Sequence, residues 1–138
     1  GGVFIFIKIS NQLIKMTFSQ SVGSVFVKFL DFNGRASRSE FWYFALFILI
    51  LYIFIYLLGD ILGDGNGRPM LVSILSWLTG VVLVLPAISV GVRRMHDIGK
   101  GGGWIFIWLV PVIGEIWFLI LAASAGQPGP NRFGQEPR

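Results

Sequence analysis

The stretch that decides the fold is RRMHDIGKGGGW, residues 93–104, a short polar segment between two long apolar runs. It contains three cations, the only histidine of the chain and a run of glycines. Charged side chains are rare and costly within hydrocarbon, so a segment of this kind is expected at a membrane surface. We interpret residues 93–104 as a hinge around which apolar helices enter and leave a membrane.

Three apolar runs flank or precede the hinge. Residues 41–58 and 69–92 carry no charged side chain, and residues 104–123 carry only Glu115. Each run is close to the roughly 20 residues that cross a bilayer core. The chain is 54% hydrophobic and 13% charged, with a mean hydropathy of +0.75, whereas about a quarter of the residues of a soluble domain are charged. We predict an all-α integral membrane protein with three transmembrane helices, at about 41–58, 69–92 and 104–123.

The segment before the first run has a different character. Residues 17–30 place their apolar side chains at helical spacing, on Phe18, Val22, Val25, Phe26 and Phe29, which predicts an amphipathic helix. We expect this helix, at about 17–30, to lie in the membrane interface; packing on the protein itself is an equal alternative. Residues 1–15 are interpreted as an upstream extension or a cloning remnant, with Met16 as the start and 16–138 as a single membrane domain.

Two polar segments join the predicted helices. Ser37 and Glu40 have the spacing of a capping box, in which the serine caps the helix and the glutamate reaches back to the cap amide. A glycine-rich loop follows the first run, and its residues Asp60, Asp64 and Asn66 faintly resemble a calcium loop. That loop lacks the terminal bidentate glutamate of calcium-binding loops, so a plain connection is favoured and no metal site is expected.

Two further features concern the interior of the predicted bundle. The second run carries small residues on one face, namely Ser73, Ser76, Gly80, Ala87 and Gly91, and such a face lets helices approach closely in lipid. Glu115 lies about 16 Å along its helix and so near the middle of the membrane. Because an isolated charge there is costly, we expect Glu115 to face the bundle, to be largely protonated, and to bond to Tyr52, Ser76 or Thr79.

The cations near the ends of the runs predict the orientation. Counted from Met16 and with three spans, six would lie on the side of the N-terminus and the hinge: Lys28, Arg35, Arg38, Arg93, Arg94 and Lys100. Three would lie on the other side: Arg68, Arg132 and Arg138. Cytoplasmic loops carry the excess of Lys and Arg. This count predicts a cytoplasmic N-terminus and hinge, and a periplasmic or extracellular C-terminal tail.

Three separated motifs carry a resemblance to a known family. They are FNGRASRSEFW at residues 32–42, RRMHDIG at 93–99 and GQPGPNRFG at 126–134. In this order they resemble the domain of unknown function 805 family of small bacterial inner-membrane proteins, over about residue 16 to the C-terminus. The resemblance implies a location in the inner membrane, a multi-pass architecture and a tail held in one conformation. It implies no biochemical activity, and Glu115 is outside the motifs.

The first two motifs supply the main candidate site, a cluster at the cytoplasmic face formed by Arg35, Arg38, Glu40, Arg93, Arg94, His96 and Asp97. Arginines and carboxylates near a low-dielectric surface are expected to form a paired network. In one interpretation this network fixes the topology and contacts lipid headgroups. In the alternative interpretation it forms a binding site for an anion or an anionic lipid. His96 and Asp97 have no nucleophile beside them, so no catalytic residues are assigned.

The function that follows from these observations is that of a structural or interaction protein, contacting anionic lipid or a protein partner through its arginine-rich face. The alternative is a small transport or channel component that acts as an oligomer and uses Glu115 in the membrane. No cofactor is expected. The chain has no cysteine, which excludes disulfides and thiol chemistry, and its scattered cations do not form the dense basic face that nucleic-acid binding requires.

Overall fold

The computed structural model describes residues 1–5 and 15–137. A helical turn at residues 2–5 is followed by α1 (Phe18–Val27), α2 (Arg38–Leu62) and α3 (Met70–Asp97). A 3-10 helix (Gly102–Leu109) and α4 (Ile113–Ala123) complete the chain, and no β-strand occurs among the described residues. The all-helical prediction is confirmed. That residues 1–15 are an upstream extension or a cloning remnant stays a prediction, and residues 6–14 of that segment lie outside the described part.

Within the described part of the chain, two helices have the length and composition to cross a membrane. These are α2, with 25 residues, and α3, with 28 residues; in the apolar 18-residue part of each helix only 11% and 17% of the residues, respectively, are buried inside the protein. At about 1.5 Å per residue each is longer than a bilayer core of roughly 30 Å. Apolar side chains such as Leu49, Phe54 and Val82 are exposed along them. The first two predicted spans are therefore present as continuous helices.

The third predicted span is wrong as a continuous helix over residues 104–123. The 3-10 helix ends at Leu109, and α4 begins only at Ile113. Between them Val112 has a φ of 65°, and the amide of Ile113 donates to the carbonyl of Pro111 at 2.7 Å, which makes a tight γ-turn. Pro111 cannot continue a helical hydrogen-bond ladder. The chain therefore turns back on itself in a hairpin formed by residues 102–123.

Gly114 allows the two arms of this hairpin to meet. A Cβ atom built at Gly114 would overlap the carbonyl group of Ile107 in the opposite arm. The 11 residues of α4 rise only about 16 Å, whereas the 25 residues of α2 rise about 37 Å. The hairpin therefore covers less than half the length of the two long helices. It also returns the tail to the end of the molecule where α2 begins and α3 ends, which we call the hinge end.

The placement of the tail corrects the predicted topology. The count of cations over three spans predicts the hinge and the tail on opposite faces, but the amide of Gln127 donates to the carbonyl of Asp97 at 2.8 Å. That prediction treats residues 104–123 as one continuous spanning helix, whereas the hairpin brings the tail back to the hinge end. Between residues 28 and 137, every Lys and Arg except Arg68 consequently lies in the half of the molecule nearer the hinge end.

Helix α1 packs on the protein, as one of the two alternatives expected. Phe26 makes edge-to-face contacts with Phe44 and Phe47 of α2, with ring centroids 5.8 and 5.9 Å apart. The helix starts at a capping box formed by Thr17 and Gln20, which was not predicted from the sequence. It ends at Val27, and the hydroxyl of Ser89 then holds the following turn: its oxygen lies 2.7 Å from the carbonyl oxygens of residues 28 and 31, which share its single proton.

The small-residue face of α3 is used within the chain. The Tyr52 hydroxyl donates to the carbonyl of Ser76 at 3.3 Å and lies against Gly80. Nearer the hinge end, Gly91 faces Ile105 of the hairpin. Small residues at these positions bring the backbone of α3 close to its neighbours, which is how van der Waals packing holds helices together in lipid.

Candidate functional site

The candidate cluster forms where the turn before α2, the end of α3 and the tail converge. Helix α3 continues past the predicted boundary at residue 92 and ends at Asp97, so its last turn carries most of the cluster. The amide of Ala36 donates to the carbonyl of Arg93 at 2.9 Å and joins the turn before α2 to this last turn. Arg94 and His96 lie in the last turn, where the helix dipole favours cations.

Asp97 is the centre of the buried network. One carboxylate oxygen accepts from Arg35, at 2.8 Å from Nη2 and 2.9 Å from Nε, and the other accepts from Nη1 of Arg94. The side chains of both arginines are fully buried, and that of Asp97 is 6% exposed. Each carboxylate oxygen thus faces a separate guanidinium, an arrangement in which ion pairs at low dielectric recover much of their desolvation penalty.

Arg35 also holds the tail. Its Nη1 donates to the carbonyl of Gly129 at 2.6 Å and, at 3.4 Å, to that of Gly134, while its Nη2 donates to the carbonyl of Gln127. A guanidinium offers five donors in a rigid fork and can therefore serve a carboxylate and several carbonyls at once. This explains why a segment rich in Gly and Pro has a defined conformation.

Arg94 joins the hairpin to the same network. Its Nε donates to the carbonyl of Ala122 at 2.8 Å, and its Nη2 donates to that of Ser124 at 2.5 Å. Its Nη1 reaches the carbonyl of Ala36 at 3.2 Å as well as Asp97. The Ala122 carbonyl, one of the last carbonyls of α4 that have no partner within their own helix, thereby gains a donor, as does the carbonyl of Ser124 just beyond the helix.

The second ion pair connects Glu40 and Arg93. Their side chains are 3% and 1% exposed, and Oε1 of Glu40 lies 2.8 Å from Nη1 of Arg93. The Ser24 hydroxyl donates to the same oxygen at 3.0 Å. Ser37 caps α2 as predicted, by accepting from the Glu40 amide at 3.2 Å. The returning half of the predicted capping box is replaced by the pair with Arg93, because a guanidinium is a stronger donor to a carboxylate than a backbone amide is.

Arg93 is incompletely paired. Among the described residues its Nε and Nη2 are buried without a hydrogen-bond partner, as is the hydroxyl of Ser21. Buried donors without partners oppose stability. We therefore expect Glu40→Gln alone to destabilise the fold by about 3–5 kcal/mol, because it leaves a buried cation without a counter-charge.

The double variant Glu40→Leu with Arg93→Met removes both charges together, and we expect it to be much closer to the parent protein than Glu40→Gln is. Unfolding in detergent, induced by heat or by a denaturing detergent, measures the single variants Glu40→Leu and Arg93→Met and the double variant on one scale. A double variant that loses the sum of the two single losses would contradict this interpretation.

His96 and the tail form a layer over the network. The imidazole stacks on the ring of Phe133 with centroids 3.9 Å apart and an angle of 3° between the planes. Its Nδ1 lies 2.9 Å from the carbonyl of Gly34, so Nδ1 carries the proton and donates. The side-chain amide of Asn131 donates to the backbone carbonyl of His96 at 2.9 Å. The guanidinium of Arg132 lies over the Phe133 ring, 4.6 Å from its centre. The contacts of Phe133 and Asn131 with His96 hold the tail at the hinge end.

Two of the sequence candidates lie outside the network. Arg38 is exposed at the first turn of α2 and forms no salt bridge within the described part of the chain. Glu115 lies in the first turn of α4 and is also exposed. The prediction that Glu115 faces the bundle is wrong, because the turn at Val112 rotates and shortens the helix that carries it. The predicted partner Tyr52 bonds to Ser76 instead.

The loop between α2 and α3 has the character of a plain connection. The Asn66 amide donates to Asp64 at 3.0 Å, and this backbone hydrogen bond lowers the pKa of the Asp64 carboxyl. Asp60 pairs with Arg68 at 3.3 Å. Within residues 1–5 and 15–137, no group of three or more His, Asp or Glu side chains is placed to hold a metal ion.

The tail residues of the network were not predicted from the sequence. Gln127, Asn131 and Phe133 lie in the third motif, which on sequence grounds carries only the family resemblance. Glycine gives the remaining signal: a Cβ atom at Gly126 would overlap the Asp97 carboxylate, and one at Gly99, whose φ is 79°, would overlap the Gln127 amide. The three motifs are therefore parts of one structure, in which the tail packs against the backbone of the other two.

Comparison with known proteins gives consistent matches. The sequence model of the DUF805 family, whose description is "protein of unknown function", matches residues 29–135. Inner membrane protein YhaH of Escherichia coli K12 is 35% identical over 118 residues, which cover 83% of this chain and 93% of YhaH. Inner membrane protein YhaI of the same organism is 33% identical over 115 residues, covering 83% and 92% of the two chains. No solved structure matches the chain.

Proposed function

The chain belongs to the DUF805 family, as its three motifs predicted, and we propose that it is an inner-membrane interaction protein whose hinge end faces the cytoplasm and binds anionic phospholipid headgroups. The inner-membrane location is supported by the similarity to the inner membrane proteins YhaH and YhaI and by the two long apolar helices. In this proposal α2 and α3 cross the bilayer and the hairpin enters and leaves on the cytoplasmic side.

The distribution of cations supports this orientation. The half of the molecule near the hinge end holds every Lys and Arg between residues 28 and 137 except Arg68. Lys and Arg near the ends of spans are retained on the cytoplasmic side. Because the hairpin brings Arg132 back to the hinge end, the imbalance is larger than the six against three counted for three spans. The tail is accordingly cytoplasmic in this proposal.

The observation that carries the headgroup proposal is the division between buried and surface cations. Arg35, Arg93 and Arg94 are buried and committed to internal partners. Around them lies a second set with surface exposure, namely Lys28, Arg38, Lys100 and Arg132. Each Lys or Arg close to an anionic membrane surface contributes about 1 kcal/mol to attraction. The buried network supplies a rigid base for the surface cations, which we call the cationic rim.

The neighbours of the rim fit a membrane interface. The Lys100 ammonium lies over the Trp104 ring, 4.3 Å from its centre, and Trp104 is 41% exposed. Tryptophan and lysine side chains together are typical of the headgroup level. The exposed carboxylates Asp31 and Glu136 each accept from a backbone amide, at 3.0 and 2.8 Å. Helix α1, which exposes Phe18 and Val27 while packing on α2, would lie at the same level.

The test is lipid retention by the purified protein. In detergent solution with equal amounts of phosphatidylglycerol and phosphatidylethanolamine, native mass spectrometry should find the anionic lipid enriched on the parent protein. Replacing the four rim residues by Gln should abolish this enrichment and leave thermal stability nearly unchanged, because exposed charges contribute little to folding.

Arg68→Gln is the matched control, since it removes a cation at the other end, and it should retain the enrichment. Enrichment that survives the fourfold replacement would overturn the proposal. Arg93 and Arg94 are unsuitable for this test, because their replacement would disturb the buried network. Single cysteines at Ala125 and at Asn66, in a chain that has no other cysteine, would report the orientation by their reaction with an impermeant thiol reagent.

A further inference from the structure

An apolar groove lies among α2, α3 and the hairpin and has a volume of about 660 Å³. Its walls include Phe44 and Ile48 of α2, Val84 and Ala87 of α3, and Trp108 and Leu109 of the hairpin. Every side chain that lines it is apolar. Protein interiors are close-packed, and voids larger than a water molecule are few. A space of this size is instead within the range of ligand sites, about 300–1,000 Å³.

The shape of the groove follows from the short hairpin. At the hinge end the hairpin touches α3 closely, because Gly91 lies against Ile105 and Phe118. These residues form the floor of the groove, about one helical turn from the buried ion network. Further from the hinge end the hairpin stops at its γ-turn while α2 and α3 continue. The groove therefore opens toward the middle of the long helices, where Val84 is 48% and Leu109 is 78% exposed.

The surroundings of the opening identify the occupant. The exposed side chains next to it, such as Leu85 and Val110, continue the groove wall onto the outer faces of α3 and the hairpin. With α2 and α3 across a bilayer, those faces adjoin lipid hydrocarbon. A polar ligand would lose its hydrogen bonds on entering such a site, whereas a hydrocarbon chain gains dispersion contacts with walls that otherwise have no partner.

We propose that this groove binds one acyl chain of a membrane phospholipid, which lies between the opening and the floor at Gly91. The bound chain completes the packing that the hairpin is too short to provide. The site selects hydrocarbon and does not depend on headgroup charge, so it is distinct from the cationic rim. A phospholipid held there travels with the protein and differs from the exchanging lipid around the helices.

The experiment fills the groove with a side chain. Ala45 and Ala87 both line it, and Ala45→Trp or Ala87→Trp should displace the acyl chain. Native mass spectrometry of protein extracted from membranes should find a single retained phospholipid on the parent and none on either variant. Val82→Trp adds the same side chain on α3 at a lipid-facing position, 65% exposed and away from the groove, and should retain the lipid.

A second measurement covers the case in which a tryptophan variant does not fold. A phospholipid with a photoreactive diazirine near the end of one acyl chain, added to the parent protein, should crosslink mainly to residues 84–91 and 105–119. Crosslinks spread evenly over the exposed faces of α2 and α3 would overturn the proposal, as would retention by both groove variants.

The headgroup proposal and the groove proposal can be rejected independently of each other. The fourfold replacement of the cationic rim should lose the preference for anionic lipid but keep the single retained phospholipid. Loss of that phospholipid in the rim variant, together with its retention by both groove variants, would assign retention to the headgroup and reject the groove.

Discussion

Asp97→Asn is expected to destabilise the fold by about 3–5 kcal/mol. The substitution keeps the shape of the side chain but removes the only carboxylate that faces Arg35 and Arg94 within the described part of the chain. The two buried guanidinium groups would then have no negative charge to pair with. Because Arg35 also holds the carbonyls of Gly129 and Gly134, the tail should loosen together with the network.

The measurement is thermal or denaturant unfolding in detergent, combined with amide hydrogen exchange across residues 126–134. Asp60→Asn is the matched control, because Asp60 also pairs with an arginine, Arg68, but both side chains are more than half exposed. Exposed pairs contribute about 0–1 kcal/mol, so this control should be nearly neutral. Equal stability of the two variants would contradict the central role of the Asp97 carboxylate.

Gly114→Ala is expected to prevent the hairpin from closing. The added Cβ atom would overlap the carbonyl group of Ile107, and a backbone group can yield only if the two arms separate. Overpacking within a well-packed core costs about 1–3 kcal/mol, and a backbone obstruction belongs at the upper end of that range. The floor of the groove, formed in part by Phe118 and Ile105, should separate as the arms do.

A distance between the two arms gives the readout. Spin labels on cysteines at Phe106 and Trp117, both exposed, would report a longer distance in Gly114→Ala than in the parent. Gly103→Ala is the control on the same hairpin, since a Cβ atom there meets no atom within 4 Å. An unchanged distance and an unchanged melting temperature in Gly114→Ala would show that the arms are not held by this contact.

Much of the architecture follows from local sequence. Runs of apolar residues long enough to cross a bilayer predict α2 and α3, because length and hydrophobicity are properties of a segment by itself. Ser37 begins α2 because a capping side chain bonds within its own turn. The sequence also predicted one cluster at this end, because the ends of successive antiparallel helices lie together. Its members are Arg35, Glu40, Arg93, Arg94, His96 and Asp97.

The third apolar run shows where this reasoning fails. Residues 104–123 satisfy the same test of length and hydrophobicity as the two long helices, and Pro111 and Gly114 indicate at most a bend. Whether the run crosses or turns back depends on what its end can bind. Arg94 donates hydrogen bonds to the carbonyls of Ala122 and Ser124, and Arg35 donates to carbonyls of the tail. These bonds join residues 28 to 99 positions apart in sequence, and no local pattern contains them.

The sequence by itself therefore determined that the chain is a helical membrane protein of its family, with a polar hinge from Arg93 to Trp104 between apolar segments. Tertiary structure decided that residues 93–97 of the hinge continue α3, that the arginines of the hinge are buried, and that the tail lies against it. The physical reason is that hydrophobic length acts along a segment, whereas buried charges must find partners in space. Asp97 and the tail carbonyls satisfy Arg35 and Arg94, and this pairing folds the last apolar run back.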